Sequence, residues 1–179
     1  ILLPQKGITG GSITLKISYR GIPEDGLIIS TNKYGDRTFF GDNWPNRAHK
    51  WLPSNDHPMD KATVEFIVTA PEHYQVVGNG EKTQEYPNGI GFKTTHWKEK
   101  VPLPTKVMVI GVAKFAVEHS GLIQGIPSSI YVFPQNRTEG FSDFKPSLLV
   151  LDWFSRNIGP FPFSKLAHVQ SKTRWGGME

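Results

Sequence analysis

Six histidines are the first side chains to test for chemistry: His49, His57, His73, His96, His119 and His168. A helical zinc site needs two imidazoles about one turn apart, as in H-x-x-x-H, and a strand site commonly uses H-x-H. Neither spacing occurs, so each histidine is read as a surface or hydrogen-bonded structural residue. The sequence has no Cys, which removes a thiol nucleophile, a disulfide framework and a thiolate-held metal. No Gly-x-Ser-x-Gly elbow is present. Gly10-Gly11 and Gly176-Gly177 extend to neither a phosphate loop nor a dinucleotide fingerprint. Asp56, just before His57-Pro58, reads as a turn cap or a locally paired acid rather than a catalyst. The expectation from side-chain chemistry is therefore no catalytic residue and no metal ligand.

The bulk composition narrows the partner classes. The chain has 179 residues, 37% of them hydrophobic, 20% charged and 12% aromatic, with a formal net charge of +4. That is a folded, globular balance rather than a disordered one. Lys and Arg are scattered, with no basic stripe of the kind nucleic acid requires, so no nucleic-acid partner is expected. No apolar run approaches the about 20 residues of a membrane span. The start, Ile1-Leu2-Leu3-Pro4, lacks an initiator Met and does not resemble a signal peptide. With an end at Gly176-Gly177-Met178-Glu179, the sequence reads as a piece of something longer.

The elements that would position any site are mostly strands. Ser12 to Tyr19 alternates, with Ile13, Leu15, Ile17 and Tyr19 on one side, and predicts a half-buried strand returning through Leu27 to Ser30. Residues 31–60 are rich in Gly, Pro, Asn, Asp and aromatics and predict a long functional loop. Ala62 to Thr69 predicts a strand, as does Tyr74 to Val77, closed by Asn79-Gly80 as a hairpin turn onto a partner at Ile90 to Trp97. Val107 to Val117 is almost continuously apolar and predicts a central strand covered on both faces. The character changes between residues 121 and 127. A strand at Ser129 to Phe133 precedes a helix at Lys145 to Asn157 whose apolar residues cover most of its circumference, predicting burial nearly all round. Lys165 to Gln170 predicts one more strand. No period of about 20–50 residues recurs, which excludes a solenoid or propeller.

Two longer segments carry a family resemblance. Trp44-Pro45-Asn46-Arg47-Ala48-His49-Lys50-Trp51-Leu52-Pro53-Ser54-Asn55-Asp56-His57-Pro58, followed by Lys61-Ala62-Thr63, resembles the A-R-x-x-F-P-C-x-D-x-P-x-x-K-A stretch of zinc aminopeptidases related to aminopeptidase N and leukotriene hydrolase. Pro160-Phe161-Pro162-Phe163-Ser164-Lys165-Leu166, running to Gly176-Gly177-Met178-Glu179, is similar to the family's P-F-x-K-L and G-x-M-E-N segment. Between them Val76-Val77-Gly78-Asn79-Gly80, the stretch from Leu103 to Gly111 and the stretch from Gly21 to Leu27 match further family patterns in the same order.

The resemblance implies a mostly β chain. Residues 1–122 would be the later part of an N-terminal β-saddle or sandwich domain. Residues 126–179 would begin a thermolysin-like α+β catalytic domain. It implies that Glu179 grips the free α-ammonium of a peptide substrate, with Gly176, Gly177 and Met178 lying along it, because a carboxylate fixed at one end enforces removal of one residue at a time. It implies zinc in the whole enzyme, held by an H-E-x-x-H segment and a further Glu beyond Glu179, with the water activated there. This chain alone is then expected to be inactive and to bind no zinc. Two positions depart from the family. Trp44 stands where a Gln or Glu often helps hold the substrate amine, with Asp42 and Asn43 as neighbours that could substitute, and Ser54 replaces a Cys. The aromatic stretch 39–51 leaves open a different class, a β-sandwich binding module for a ligand such as carbohydrate. An inactive peptidase relative is the third reading.

Overall fold

The computed structural model describes residues 10–173, whose regular elements are ten strands, two α-helices and three short 3-10 turns. The strands are β1 (Leu27–Thr31), β2 (Arg37–Gly41), β3 (Ala62–Pro71), β4 (Gln75–Gly78), β5 (Glu81–Pro87), β6 (Phe92–Leu103), β7 (Ile110–Ala113), β8 (Ala116–Ile123), β9 (Ile126–Val132) and β10 (Leu166–Val169). The helices are α1 (Arg137–Phe144) and α2 (Ser147–Asn157). The chain is mostly β, as the sequence predicts. Among the described residues no helix is long and apolar enough to cross a membrane.

Three sheets form. One has the order β1-β2-β7-β4, a second β3-β6-β5, and a third β10-β9-β8. The first two are antiparallel throughout, with β6 central in its sheet and β7 internal in the other. Their inner faces meet in the main core, where Phe40, Phe66, Val76, Val77, Trp97, Leu103 and Val112 are buried. Burial of such side chains is worth about 1.5–3 kcal/mol each, the dominant force holding two sheets face to face.

The third sheet joins that same core rather than forming a separate one. One face of β9 and its flanks supplies Phe115, Tyr131 and Phe133 to the main core, with Phe115 and Phe133 stacked 6.0 Å apart. The other face, Ile130 and Val132, packs with Phe141 of α1 in a smaller cluster. The connection from β9 to its parallel neighbour β10 runs through α1 and α2, the crossover that parallel strands require.

Several expectations are corrected. Ser12 to Tyr19 forms no strand: Ile13, Leu15, Ile17 and Tyr19 are exposed, and β1 pairs with β2 instead. Alternation licenses a strand only where a second strand supplies the hydrogen-bond ladder. Asn79-Gly80 is not a hairpin turn, because β4 and β5 belong to different sheets. It is a crossing between sheets, held by the Asn79 side chain, which donates to the Val107 carbonyl at 2.9 Å and accepts from the Val109 amide at 2.8 Å. The true hairpin lies between β5 and β6. The run from Val107 to Val117 is broken into β7 and the start of β8. The 31–60 loop contains β2. Helix α1 lies in a stretch for which the sequence pattern predicts no helix.

Helix α2 is also not buried all round. Leu151 is buried against the rest of the chain, whereas Leu149, Val150, Trp153 and Phe154 are more than half exposed. The helix packs on β8, and much of its apolar surface stands exposed among the described residues. An open groove of about 290 Å³ runs beside it, lined by Leu151, Phe154, Ile158, Pro160 and Phe161.

Candidate functional site

The 42–58 loop is organised by a single guanidinium. Arg47 donates through Nη1 to Asp25 at 3.0 Å, through Nη2 to Asp42, and through Nε to the Trp44 carbonyl at 2.8 Å. A planar fork of fixed donors suits such divergent acceptors better than an ammonium would. The turn before β1 is shaped to receive it. Gly26 has a φ of +79°, and a Cβ there would lie 2.3 Å from the Arg47 carbonyl oxygen. The Asp42 amide closes the contact by donating to the Gly26 carbonyl at 2.7 Å.

Asn43 is fully buried and its side chain is spent. Its Nδ2 donates to the carbonyls of Thr105 (3.0 Å) and Met108 (2.7 Å), and its Oδ1 accepts from Trp51 Nε1 at 2.7 Å. Trp51 in turn stacks on Phe66, with ring centroids 6.3 Å apart. The loop is therefore sewn into both sheets. Trp44, between Asp42 and Arg47 and before a cis Pro45, is 62% exposed.

Asp56 behaves as the local pairing acid that its sequence context predicts. Its Oδ2 accepts from the His49 amide (3.1 Å) and lies 2.6 Å from His49 Nδ1, and its Oδ1 accepts from Ser54 and Thr105 hydroxyls at 3.1 and 3.2 Å. Burial works against its ionisation, but these donors outweigh burial and hold the carboxyl below its ordinary value.

The residues named as candidates sort accordingly. Asp42 is engaged by Arg47 and Asn43 by backbone carbonyls, which leaves the Trp44 ring as the free side chain of the three. Gly176, Gly177, Met178 and Glu179 lie outside the described residues. The chain that leads toward them is described as far as Thr173. Strand β10 is followed by Gln170, whose amide donates to the Tyr131 carbonyl (2.8 Å) and whose side chain accepts from the Phe133 amide (2.8 Å) and donates to Asn136 (3.0 Å). The histidines are dispersed: His96 lies near Tyr86, His119 bonds Ser129 and His168 stacks on Phe144. Among the described residues no three potential metal ligands come together.

Two residues escaped the sequence reading. The clamp formed by Arg47 joins Asp25 and Asp42, which only the fold brings together. Lys165 crosses from the segment before β10 to the Gly78 carbonyl, a partner 87 residues away. Neither carries a local spacing signal.

Two antiparallel sheets tied by a partly buried loop carrying Asp42, Asn43 and Arg47, followed by a crossover of helices, define a β-rich domain leading into a helical one. The family profile described as the Peptidase M1 N-terminal domain matches residues 1–107, and the chain belongs to that family. Its relatives include Aminopeptidase A of Gloydius brevicauda, 25% identical over 162 residues covering 86% of this chain and 17% of that protein. Glutamyl aminopeptidase of Bitis rhinoceros is 30% identical over 115 residues, covering 63% of this chain and 12% of that protein. Glutamyl aminopeptidase of Homo sapiens is 28% identical over 96 residues, or 54% and 10%. The chain thus spans less than a fifth of the length of these curated relatives.

Proposed function

We propose that this chain is the front section of a zinc-dependent aminopeptidase, which removes N-terminal residues from peptides. The observation that carries the reading is the match of residues 1–107 to the M1 N-terminal domain, with relatives named as aminopeptidases. In this reading residues 1–122 form the N-terminal saddle and residues 126–179 open the catalytic domain. Glu179 holds the substrate α-ammonium, with Gly176, Gly177 and Met178 beside the peptide. In this reading, as the resemblance implies, the zinc and the water it activates belong to an H-E-x-x-H segment and a further Glu beyond Glu179. An ungapped match puts the exposed Trp44 ring at the position where the family often carries a Gln or Glu, and its neighbours Asp42 and Asn43 are engaged elsewhere. It offers a flat apolar wall near the substrate amine.

The test compares residues 1–179 with a form extended to the length of the relatives. Hydrolysis of an aminoacyl amide and stoichiometric zinc are expected for the long form and neither for the short one. Activity in the short form would sink the assignment. An extended sequence without H-E-x-x-H would leave an inactive relative. The exposed Trp44 also favours the rival reading of a carbohydrate-binding module, which saturable glycan binding by the short form, lost in Trp44→Ala, would establish instead.

A further inference from the structure

Strand β10 is short, sits at the edge of its sheet and is nowhere fully buried. It pairs with β9 alone, packs Ala167 and Val169 against the main core and stacks His168 on Phe144. The residue just before it adds a tie to a different sheet. Lys165 reaches across to the first sheet, where its Nζ donates to the Gly78 carbonyl at 2.5 Å and sits 4.7 Å from the centroid of the Trp97 ring. The seat is built. Trp97 is buried and held by its own bond, Nε1 to the Val76 carbonyl at 3.1 Å. Gly78 lies flat against it, and a Cβ on Gly78 would stand 3.1 Å from the Trp97 Cβ. The absence of a side chain at Gly78 lets strand, indole and ammonium approach one another. Glu99, buried on the same strand as Trp97, adds a favourable charge.

We propose that Lys165 is a positioning residue that pins the start of β10 to the β4–β6 region and so sets where the chain departs toward Gly176–Glu179. Gln170 fixes the other end of the strand through Tyr131, Phe133 and Asn136. The inference rests on the role proposed for Glu179. A substrate anchor is useful only if it is held in place at the pocket, and a misplaced anchor weakens binding of the substrate amine. Burial pushes the Lys165 ammonium down to about 8, with Glu99 only partly opposing it. Apolar replacements of buried charges are often neutral or stabilising overall, so the gain from this lysine is placement.

Lys165→Met keeps the stem and removes the ammonium. In this chain, native-state hydrogen exchange is expected to show the amides of Leu166–Val169 losing protection by about tenfold or more, while β6 amides and the global unfolding midpoint hold or rise. Lys165→Arg, which retains a cation and donors, should recover part of that protection. Unchanged exchange in the Met variant would overturn the proposal, as would a uniform loss across all strands. In the full-length enzyme, the Met variant is expected to raise KM for an aminoacyl amide about tenfold with kcat changed less than about twofold. An unchanged KM would overturn it. If the wild-type full-length protein hydrolyses no aminoacyl amide, the functional reading fails while the exchange experiment still judges the pin.

Discussion

Asp56 shows how a single acid can organise a loop without doing chemistry. Its carboxylate gathers the His49 amide and ring, Ser54 and Thr105, and its side chain is only 10% exposed. Hydrogen bonds to a charged acceptor of this kind are worth about 1.5–3 kcal/mol, so Asp56→Asn is expected to cost roughly 2 kcal/mol at neutral pH by denaturant titration. The pH dependence has a definite sign. The folded carboxyl is held below the ordinary 3.8, so its contribution is complete above that value. Below it the unfolded chain takes up the proton first, and the gap between wild type and Asp56→Asn should close as pH falls through the folded value. A gap that is constant down to strongly acid pH would show that the shift is not real. This role was legible in the sequence, because Asp56, Ser54 and His49 are near neighbours. The role of Arg47 was not, since Asp25 reaches it only through the turn at Gly26.

At the scale of elements, α2 is the part whose surroundings the composition misjudged. Its apolar residues cover most of the circumference, which predicts a buried helix. The fold covers one side, with Leu151 inward and Leu149, Trp153 and Phe154 outward. Exchanging two of these, Leu149→Glu with Trp153→Lys, removes exposed apolar area and leaves Leu151 untouched. Unfolding free energy is expected to change by less than about 0.5 kcal/mol per site, while concentration-dependent association in sedimentation falls. A large loss of stability would mean that this face already packs internally. The strands divide for a physical reason. Ala62 to Thr69 was legible because β6 lies beside it and rewards its alternation. Ser12 to Tyr19 alternates equally well but has no described strand to pair with. Asn79-Gly80 has the composition of a hairpin turn, yet the Asn79 side chain spends its bonds on Val107 and Val109, a choice made by tertiary structure.

The whole molecule is held by one principal core that crosses the change of character seen in the sequence. Phe115, Tyr131 and Phe133 meet Phe40 and its neighbours, with Val169 packed against them. A piece ending at Leu122 would strip Tyr131 and Phe133 from that core. Losses of large buried side chains run to about 3–5 kcal/mol each, so such a piece is expected to unfold at clearly lower denaturant than residues 1–179. A truncated form as stable as the longer one would mean that the third sheet only leans on the first two. The many strands, helix α2 and the final strand were readable from pattern alone, whereas α1 was not. The sharing of one core was not, because it depends on which face of β9 turns toward which neighbour, and residue alternation in that strand permits both.

The pairing of β2 with β7 has a consequence in time. Phe39 and Phe40 must find Val112 and Gly111 before the four-stranded sheet has an interior, and the intervening chain includes all of β3 to β6. Each such encounter closes a long loop against chain entropy before burial rewards it. The rate of folding should then be governed by the search for distant partners, with the local β5–β6 hairpin forming early and the β2–β7 seam arriving last.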